Sequence, residues 1–391
     1  MKRILAAALI LATLGPARAD WDATLAKAKG ETVYWNAWGG DERTNSFIAW
    51  AGDEMQARYG VTVKQVKLTD TGEAVARVVA EKGAGRDGDG SVDLIWINGP
   101  NFLSMKQKGL LYGPFVQDLP NAKFIDTTHK RSNAVDFAVP TEGYEAPWRL
   151  AQLVLIYDSA KVAAPPRSLS GLTQWIKAHP GRFAYPDPRD FMGASFLKQI
   201  LVDLAPDAAR LSEPADEAAF ATQSAPLWAW CDAVRDALWR QGRQYPLNEP
   251  ALIQALNDGE VDFALAFDPL EAAVAARAGR LPATARATNF ADGSLGNTSF
   301  VAIPYNSPHK AAAMALANFL LDPATQAHAQ DVASLGAYNV LDLDKLTPEQ
   351  RNAFAAPADP AAPTDLGPVL LEPHPSWMTK IVQEWRRRYG Q

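Results

Sequence analysis

The sequence contains a single cysteine, Cys231, so the chain has no second thiol with which to form an internal disulfide. A fold without disulfides depends on its hydrophobic core, and 48% of the residues are hydrophobic. The N-terminal region also lacks the cysteine to which a lipid anchor is attached. We therefore predict a fold held by its own core, with Cys231 as a buried structural thiol.

Local patterns typical of metal and catalytic sites are also missing. The five histidines are nowhere closely spaced and lie at positions 129, 179, 309, 328 and 374. No second cysteine completes a local zinc motif, and no adjacent tyrosine pair of the kind used by ferric-ion binders occurs. The G-x-S-x-G pattern of serine hydrolases is absent as well. We predict no metal site and no cofactor.

An excess of positive charge is lacking too, because 44 acidic residues outnumber 38 basic ones and give a net charge of −6. An acidic surface disfavours binding to nucleic acid. We therefore expect no nucleic-acid partner.

The N-terminal segment has the order of features typical of a secretory signal. Lys2 and Arg3 are followed by an apolar run over residues 4–14, which is too short to span a bilayer, and then by residues 17–19, Ala-Arg-Ala. We predict a signal peptide over residues 1–19 that is cleaved before Asp20. Its removal leaves 35 basic and 44 acidic residues, a net charge of −9. The predicted location is the periplasm, without a lipid anchor and without a later run of spanning length.

The length after cleavage exceeds the roughly 250–300 residues at which single cores usually divide, so we expect two domains. Apolar periodicity predicts strands at 32–35, 61–68 and 92–97, alternating with helices at 43–58 and 72–82. The nearly continuous apolar run at 92–97 is typical of a parallel strand covered on both faces. The first domain is therefore predicted to be a doubly wound α/β domain.

The second half repeats this alternation after residues 137–148, an extended stretch broken by Pro and Gly that we interpret as a crossing between domains. Strands are predicted at 153–157, 182–185 and 262–267, and helices at 169–178, 191–204 and 225–240. The turn-rich residues 291–299 are interpreted as the return crossing. A helix opened by Ser307 and Pro308 follows, and a docked terminal helix is predicted at 376–389.

This order of elements resembles the periplasmic solute-binding proteins of ABC importers over essentially the whole mature chain. The segments that carry the resemblance are 93–99 with 108–111, 151–161 around Leu-Ile-Tyr-Asp, and 300–310 with the Ala-rich helix that ends at 319–323. Within this class, residues 34–40 and 96–102 resemble a branch of thiamine-type and uncharacterised binding proteins.

The resemblance implies an α/β fold of the two-lobed, class II type, in which two doubly wound sheets are joined by crossing hinge strands. Lobe 1 is predicted to comprise residues 20–140 plus 298–325, and lobe 2 residues 141–297. Residues 326–391 are predicted to form C-terminal helices that pack on the lobes.

Ligands of open α/β sheets bind beyond the carboxyl ends of the strands, so residues that follow strands are candidates for the site. The first strand leads to Trp35, Asn36, Trp38, Gly39 and Gly40. An indole can stack on a ring or a sugar face, and glycines let backbone amides approach a ligand. For Trp35 a purely structural role in the core remains the alternative.

The next strand leads to Asn98 and Gly99, with Pro100 suited to the first turn of a helix whose free amides meet a polar or anionic group. Asn98 has a simple capping role as its alternative.

The remaining candidates lie in the second domain and in the crossings. The second domain offers Asp187, Arg189 and Asp268, whose carboxylates suit a cationic ligand, while nearby Asp190 has helix capping as an alternative. The crossings offer Glu142, Tyr144, Trp148, Asn297 and Thr298, each with hinge packing as its alternative.

These observations predict an extracytoplasmic binding protein, not an enzyme, that holds a small cationic or heterocyclic solute similar to thiamine and delivers it to a permease and its ATPase. It is expected to be a monomer. An oligosaccharide and a polyamine are alternative ligands. The alternative classes are a secreted hydrolase that uses Glu142 and Asp268 as a carboxylate pair, and a chemosensory adaptor.

Overall fold

The computed structural model describes residues 16–355, 359–363 and 366–390. Its helices are Pro16–Ala28 (α1), Glu42–Tyr59 (α2), Gly72–Gly83 (α3), Gly99–Gln107 (α4), Leu169–Ala178 (α5), Phe191–Leu204 (α6), Glu217–Val234 (α7), Glu249–Asn257 (α8), Glu271–Arg277 (α9), Lys310–Leu320 (α10), Pro323–Gln330 (α11), Pro348–Asn352 (α12) and Pro375–Tyr389 (α13). The predicted signal peptide lies outside the described residues as far as residue 15, and residues 16–19 begin α1.

The strands form two main sheets and one short hairpin. They are Thr32–Trp38 (β1), Thr62–Leu68 (β2), Leu94–Ile97 (β3), Val135–Asp136 (β4), Val139–Pro140 (β5), Glu145–Gln152 (β6), Val154–Asp158 (β7), Phe263–Ala266 (β8), Ala285–Thr288 (β9), Ser294–Ala302 (β10) and Val369–Leu371 (β11). The first sheet has the order β2-β1-β3-β10, with β6 and β11 also paired to β10, and the second has the order β8-β7-β9.

The start of the chain folds as the sequence predicts, because β1 pairs in parallel with both β2 and β3 while α2 and α3 supply the crossovers. Helix α2 begins where the Asp41 carboxylate accepts hydrogen bonds from the Arg43 and Thr44 amides. It ends at Gly60, whose φ of 66° is the left-handed conformation that glycine adopts readily. The doubly wound α/β arrangement of this region is confirmed.

Both predicted crossings contain a strand that links the sheets: β6 of the first sheet leads directly into β7 of the second, and β9 of the second is followed by β10 of the first. Within 137–148, Glu145 begins β6, and within 291–299, Ser294 begins β10, whose nine residues are all buried. The two strands pair antiparallel along nearly their whole length. Pro147 lies where the register shifts between Ser299 and Phe300, a position that tolerates a residue without an amide hydrogen. Pro and Gly therefore obscured the bounds of these two strands in the sequence, although crossing strands were expected here.

The second sheet places β7 between β8 and β9, antiparallel to both. The strand predicted at 182–185 is not a strand, although the carbonyls of Arg182 and Phe183 accept hydrogen bonds from Asp262 and Trp239. Helix α7 begins at Glu217, earlier than predicted, because Asp216 caps it and Pro226 is accommodated inside it. The sequence pattern also missed α8, α9, α11 and β9.

The buried apolar side chains form separate clusters around the two sheets. Alternate residues of the first sheet, such as Leu94 and Ile95, belong to clusters on its opposite faces. The second sheet and its helices enclose another cluster, which includes the buried Cys231 as predicted. We call the first sheet with its helices the first lobe, and the second sheet with its helices the second lobe.

The C-terminal part of the chain contacts both lobes. Leu335 and Val340 pack in the first lobe, whereas Trp377, Ile381 and Trp385 of α13 belong to the cluster of the second lobe. The docked terminal helix is thus confirmed, while the residue boundaries of the lobes stay a prediction. Among the described helices, none combines the length and the apolar character needed to cross a bilayer.

Packing of α13 gives a stability prediction. Ile381 is fully buried, so Ile381→Ala should lower the free energy of unfolding by about 2–5 kcal/mol. Gln383→Ala, on the exposed side of the same helix, should change it by less than about 0.5 kcal/mol. Urea unfolding followed by circular dichroism measures both. Equal midpoints for the two variants would show that α13 contributes nothing to the core of the second lobe.

Candidate ligand-binding site

The candidate site lies where the carboxyl-end edge of the first sheet faces the second lobe. Because β1 and β3 run parallel, they end at the same edge, and β8 of the second sheet leads into Asp268. Two ion pairs join the lobes here, Arg149 with Asp268 and Arg43 with Glu271. Each pair sets a guanidinium of the first lobe against a carboxylate of the second.

Arg149 lies among aromatic rings at this contact. Its guanidinium carbon is 4.5 Å from the ring centroid of Trp96 and 5.0 Å from that of Trp148. Its Nη1 lies 3.3 Å from Oδ2 of Asp268, and its Nε donates to the Ser299 hydroxyl at 3.4 Å. The other Asp268 oxygen, Oδ1, is buried and has no hydrogen-bond partner among the described residues. Asp268 therefore retains an unused acceptor.

Arg43, in the first turn of α2, makes the second contact between lobes. Its guanidinium donates to the Glu271 carboxylate and, at 3.0 Å, to the Leu335 carbonyl. Arg280 donates to the other oxygen of Glu271 at 3.0 Å. Burial raises the pKa of Glu271 although Arg43 and Arg280 oppose the shift. The buried Glu271 carboxylate thus has its full set of cationic partners.

Two further carboxylates at this contact have no cationic partner among the described residues. Glu249 begins α8, and burial, together with Glu271, Asp268 and Asp190, raises its pKa well above the ordinary value, against the effect of Arg43. Asp190 caps α6 by accepting from the Met192 amide, and burial raises its pKa to about 6. Four carboxylates of the second lobe therefore gather opposite two guanidiniums of the first.

Of the predicted residues after β1, the two internal ones are core residues. Trp35 is fully buried and meets Trp148 edge to face with ring centroids 5.8 Å apart. Asn36 is buried as well, and its amide donates to the Tyr34 carbonyl. Trp148 is 1% exposed, so neither this indole nor that of Trp35 offers a free face.

The end of β1 is more open. Trp38 is half-buried, and a Cβ atom at Gly40 would overlap its indole, so the ring lies against Gly40. A Cβ atom at Gly39 would lie 2.6 Å from that of Lys67. Both glycines therefore allow a neighbouring side chain to lie where a Cβ atom would otherwise be, Lys67 at Gly39 and Trp38 at Gly40.

The predicted residues after β3 and in β10 make hydrogen bonds within the protein. The Asn98 amide donates to the Thr298 carbonyl, and the Gly99 amide donates to Asp136 at 2.6 Å. Asn98 therefore does not cap α4 with its side chain, and the Gly99 amide is not free to meet an anion. The Thr298 hydroxyl donates to Asn133 Oδ1 and accepts from the Ser132 hydroxyl, both at 2.9 Å.

Glu142 and Tyr144 lie toward the opposite edge of the first sheet. They precede Glu145, which pairs with Ala302, at the far end of β6 from Arg149. Glu142 is exposed and pairs with Lys106 at 2.9 Å, and a Cβ atom at Gly113 would touch the Tyr144 ring. The structure therefore does not bring Glu142 together with Asp268.

Asp187 and Arg189 bond to each other on the second lobe, with Nη2 to Oδ2 at 2.6 Å and Nε to Oδ1 at 2.9 Å. Because Asp187 has this partner, Asp190 and Glu249 are the unpaired carboxylates nearby. The sequence offered Asp190 as a carboxylate with helix capping as its alternative, and the structure shows the cap. The sequence did not single out Glu249, Arg43, Arg149 or Trp96 as site residues. Of these, Trp96 lies two residues before the predicted site residue Asn98, near the carboxyl end of a predicted strand. That position is the signal that could have identified it.

A buried ion pair ties the lobes together beside this site. Lys198 of α6 is fully buried, and its Nζ lies 2.6 Å from Oε2 of Glu372. Asn297 of β10 donates to the other Glu372 oxygen at 3.1 Å, and the Lys198 ammonium lies 4.1 Å from the Phe137 ring centroid. Asn297 is therefore bound to the protein itself. Among the described residues, no group of three or more His, Cys, Asp or Glu is arranged to hold a metal ion.

A known protein family matches most of the chain. The family described as bacterial extracellular solute-binding protein matches residues 49–339. Protein YnjB of Escherichia coli (strain K12) is 41% identical over 382 residues, which cover 98% of this chain and 97% of that protein.

Solved structures share the fold at lower identity. An ABC transporter substrate-binding protein from Bradyrhizobium japonicum USDA 110 superimposes with a TM-score of 0.64 at 18% identity, covering 92% of this chain and 100% of its own. The periplasmic binding protein AfuA from Actinobacillus pleuropneumoniae, with fructose-6-phosphate bound, gives 0.63 at 12% identity over 92% and 98%. The two-lobed α/β fold is thereby confirmed.

The raised pKa of Glu249 predicts how stability depends on pH. Folding favours its protonated form, so this contribution is present below the ordinary pKa of 4.5 and is lost as pH rises through the folded value. Glu249→Gln should therefore match the wild type near pH 4.5 and melt higher at pH 8, by about 1–2 °C per kcal/mol gained. Melting curves of ligand-free protein measure this difference. The exposed Glu349→Gln is the control, and an identical pH profile for Glu249→Gln contradicts the prediction.

The Lys198–Glu372 pair gives a separate prediction. Glu372→Gln leaves the fully buried Lys198 ammonium without its counter-ion and should cost about 3–5 kcal/mol. Combining Lys198→Met with Glu372→Gln should recover part of that loss, because no buried charge remains. Urea unfolding of the single and double variants measures this coupling. A double variant that loses the sum of both single losses would indicate that the two groups act independently.

Proposed function

Because the chain belongs to the bacterial extracellular solute-binding proteins, we propose that it captures a small positively charged solute between its lobes and delivers it to the permease and ATPase of an ABC importer. The observation that carries this proposal is the excess of carboxylates at the contact between lobes. The second lobe contributes Asp190, Glu249, Asp268 and Glu271, and only the last two are paired with arginines of the first lobe.

A cationic ligand supplies the charge that this arrangement lacks. Burial raises the pKa of Glu249 and of Asp190, and neighbouring carboxylates add to both shifts, so a bound cation offsets these effects. Asp268 Oδ1 adds a buried acceptor without a partner among the described residues. A neutral oligosaccharide offers no such compensation, so the charge distribution favours a cation.

Aromatic side chains favour a ring in the ligand. Trp96 and Trp38 are both half-buried at the carboxyl-end edge of the first sheet, and indoles stack well on flat, electron-poor rings. A cationic heterocycle of the thiamine type matches both the indoles and the carboxylates. A polyamine matches the carboxylates alone and is the competing ligand.

Binding of this kind involves no bond making, so we propose a binding protein and not an enzyme. A ligand that contacts both lobes favours the closed arrangement by its differential affinity for the two states, and a transporter then recognises that arrangement. The hydrolase alternative needs Glu142 beside Asp268, whereas these residues lie toward opposite edges of the first sheet. We also propose that residues 1–19 direct export to the periplasm and that the mature chain acts as a monomer.

The test is ligand binding by the mature protein after unfolding and refolding to remove bound solute. Thiamine at about 100 times its Kd adds roughly 2.7 kcal/mol, which raises Tm by about 3–5 °C. Asp268→Asn should reduce this shift, since it removes a carboxylate at the site. Spermidine and maltotriose are run beside thiamine to compare a polyamine and a neutral sugar. Calorimetry supplies the affinities.

Asp118→Asn, at an exposed position in the first lobe, is the matched control and should leave the shift unchanged. A shift with spermidine but not with thiamine would support a positively charged ligand and reject the heterocyclic ring. A shift with maltotriose alone, unaffected by Asp268→Asn, overturns the cationic ligand. Turnover of a substrate that is abolished in Asp268→Asn overturns the binding function itself.

A further inference from the structure

A separate pocket lies on the second lobe, between the last turns of α13 and the chain that precedes α8. Its volume is about 560 Å³, within the roughly 300–1,000 Å³ typical of sites for small molecules. Among the described residues that line it are three arginines, Arg189, Arg243 and Arg386, and one carboxylate, Asp187. The chain as a whole has a net charge of −6, so this pocket is a local region of opposite sign.

The charge inside the pocket is not balanced. Burial raises the pKa of Asp187, but hydrogen bonds from Arg189 outweigh it and keep the carboxylate ionised and paired. Arg243 and Arg386 are exposed to solvent, and in the described part of the chain neither side chain makes a hydrogen bond or ion pair. Two guanidiniums in the pocket are therefore available to a ligand.

Of the three consecutive arginines at the end of α13, only Arg386 lines the pocket. Arg387 and Arg388 both bond to the Glu384 carboxylate, with nitrogen to oxygen distances of 2.6 Å. Arg386, the third member of the run, lines the pocket instead. Two arginines thus support the helix, and one faces the cavity.

Aromatic rings give the pocket a fixed wall. Tyr245 and Trp385 meet edge to face with centroids 4.9 Å apart, and the Trp385 indole nitrogen donates to the Tyr185 hydroxyl at 3.1 Å. Trp385 and Tyr389 are almost fully buried, so they do not rearrange freely. An aromatic wall beside free guanidiniums suits an organic anion better than a bare inorganic ion.

We propose that this pocket binds a small organic dianion, a phosphate monoester or a dicarboxylate, held by Arg243 and Arg386 against the wall formed by Tyr245. Guanidinium groups recognise both anions through paired hydrogen bonds, and two of them match a double charge. The site is distinct from the acidic contact between the lobes and takes a ligand of opposite charge. Asp187 lines this pocket and, besides burial, also raises the pKa of Asp190 at the contact, so the two sites are separate cavities that lie close together.

The experiment is titration calorimetry of the mature protein with phenyl phosphate, a dianion at pH 7.5 because its second pKa is about 6. We expect saturable binding of one equivalent. Arg243→Gln and Arg386→Gln should each weaken it at least tenfold. Arg387→Gln, which removes the same charge one residue away and outside the pocket, should leave it unchanged. Both pocket arginines are exposed, and melting curves verify that the variants are folded.

Related anions separate the two ligand chemistries. Benzenesulfonate, with a single charge on the same ring, should bind at least tenfold more weakly than phenyl phosphate. Tighter binding of phthalate than of phenyl phosphate assigns the site to dicarboxylates, and the reverse assigns it to phosphate esters. Absence of saturable binding of both dianions at millimolar concentration overturns the proposal. An equal loss of affinity in Arg387→Gln also overturns it, since binding then follows overall charge.

Discussion

The pairing of strand β10 constrains the rest of the structure. All nine of its residues are buried, and its backbone pairs with β6, β3 and β11, so moving it breaks hydrogen bonds that water cannot replace. Asn297 and Thr298, near its middle, bond to Glu372 and to the segment around Ser132. The side chains of β10 thus join parts of the protein to one another. Asn297 and Thr298, predicted as ligand-binding residues of a crossing, therefore make their hydrogen bonds to other parts of the protein.

The contact between the lobes depends on that frame, because β6 carries Arg149 on one side and the turn after β8 carries Asp268 on the other. Charge is divided unequally across it, with guanidiniums on the first lobe and an excess of carboxylates on the second. The attraction draws the lobes together, while the repulsion among the carboxylates is confined to the second lobe. A cation placed between them relieves the repulsion without breaking either ion pair.

The sequence predicted the elements whose apolar residues follow one period without interruption. Helices α5 and α6 were predicted at their observed bounds, and β1, β3 and β8 were found to within a few residues. It did not give the bounds of the crossing strands, because Pro147 interrupts the pattern in β6 and buried polar residues replace apolar ones in β10. Asp268 was identified because it directly follows an apolar strand. Arg149 and Glu249 were not, because their neighbours come from remote parts of the chain and no local pattern marks them.

The order of the chain has a consequence for how it acquires its structure during synthesis. The first sheet is incomplete until β10 emerges, although β1, β2 and β3 are made within the first 97 residues. The core of the second lobe stays open until Trp385 and Tyr389, the last buried residues of α13, are available. Neither half is therefore a finished body while its C-terminal partner is missing. A chain that stops before α13 therefore leaves apolar surface of the second-lobe cluster exposed to water, which the complete chain buries.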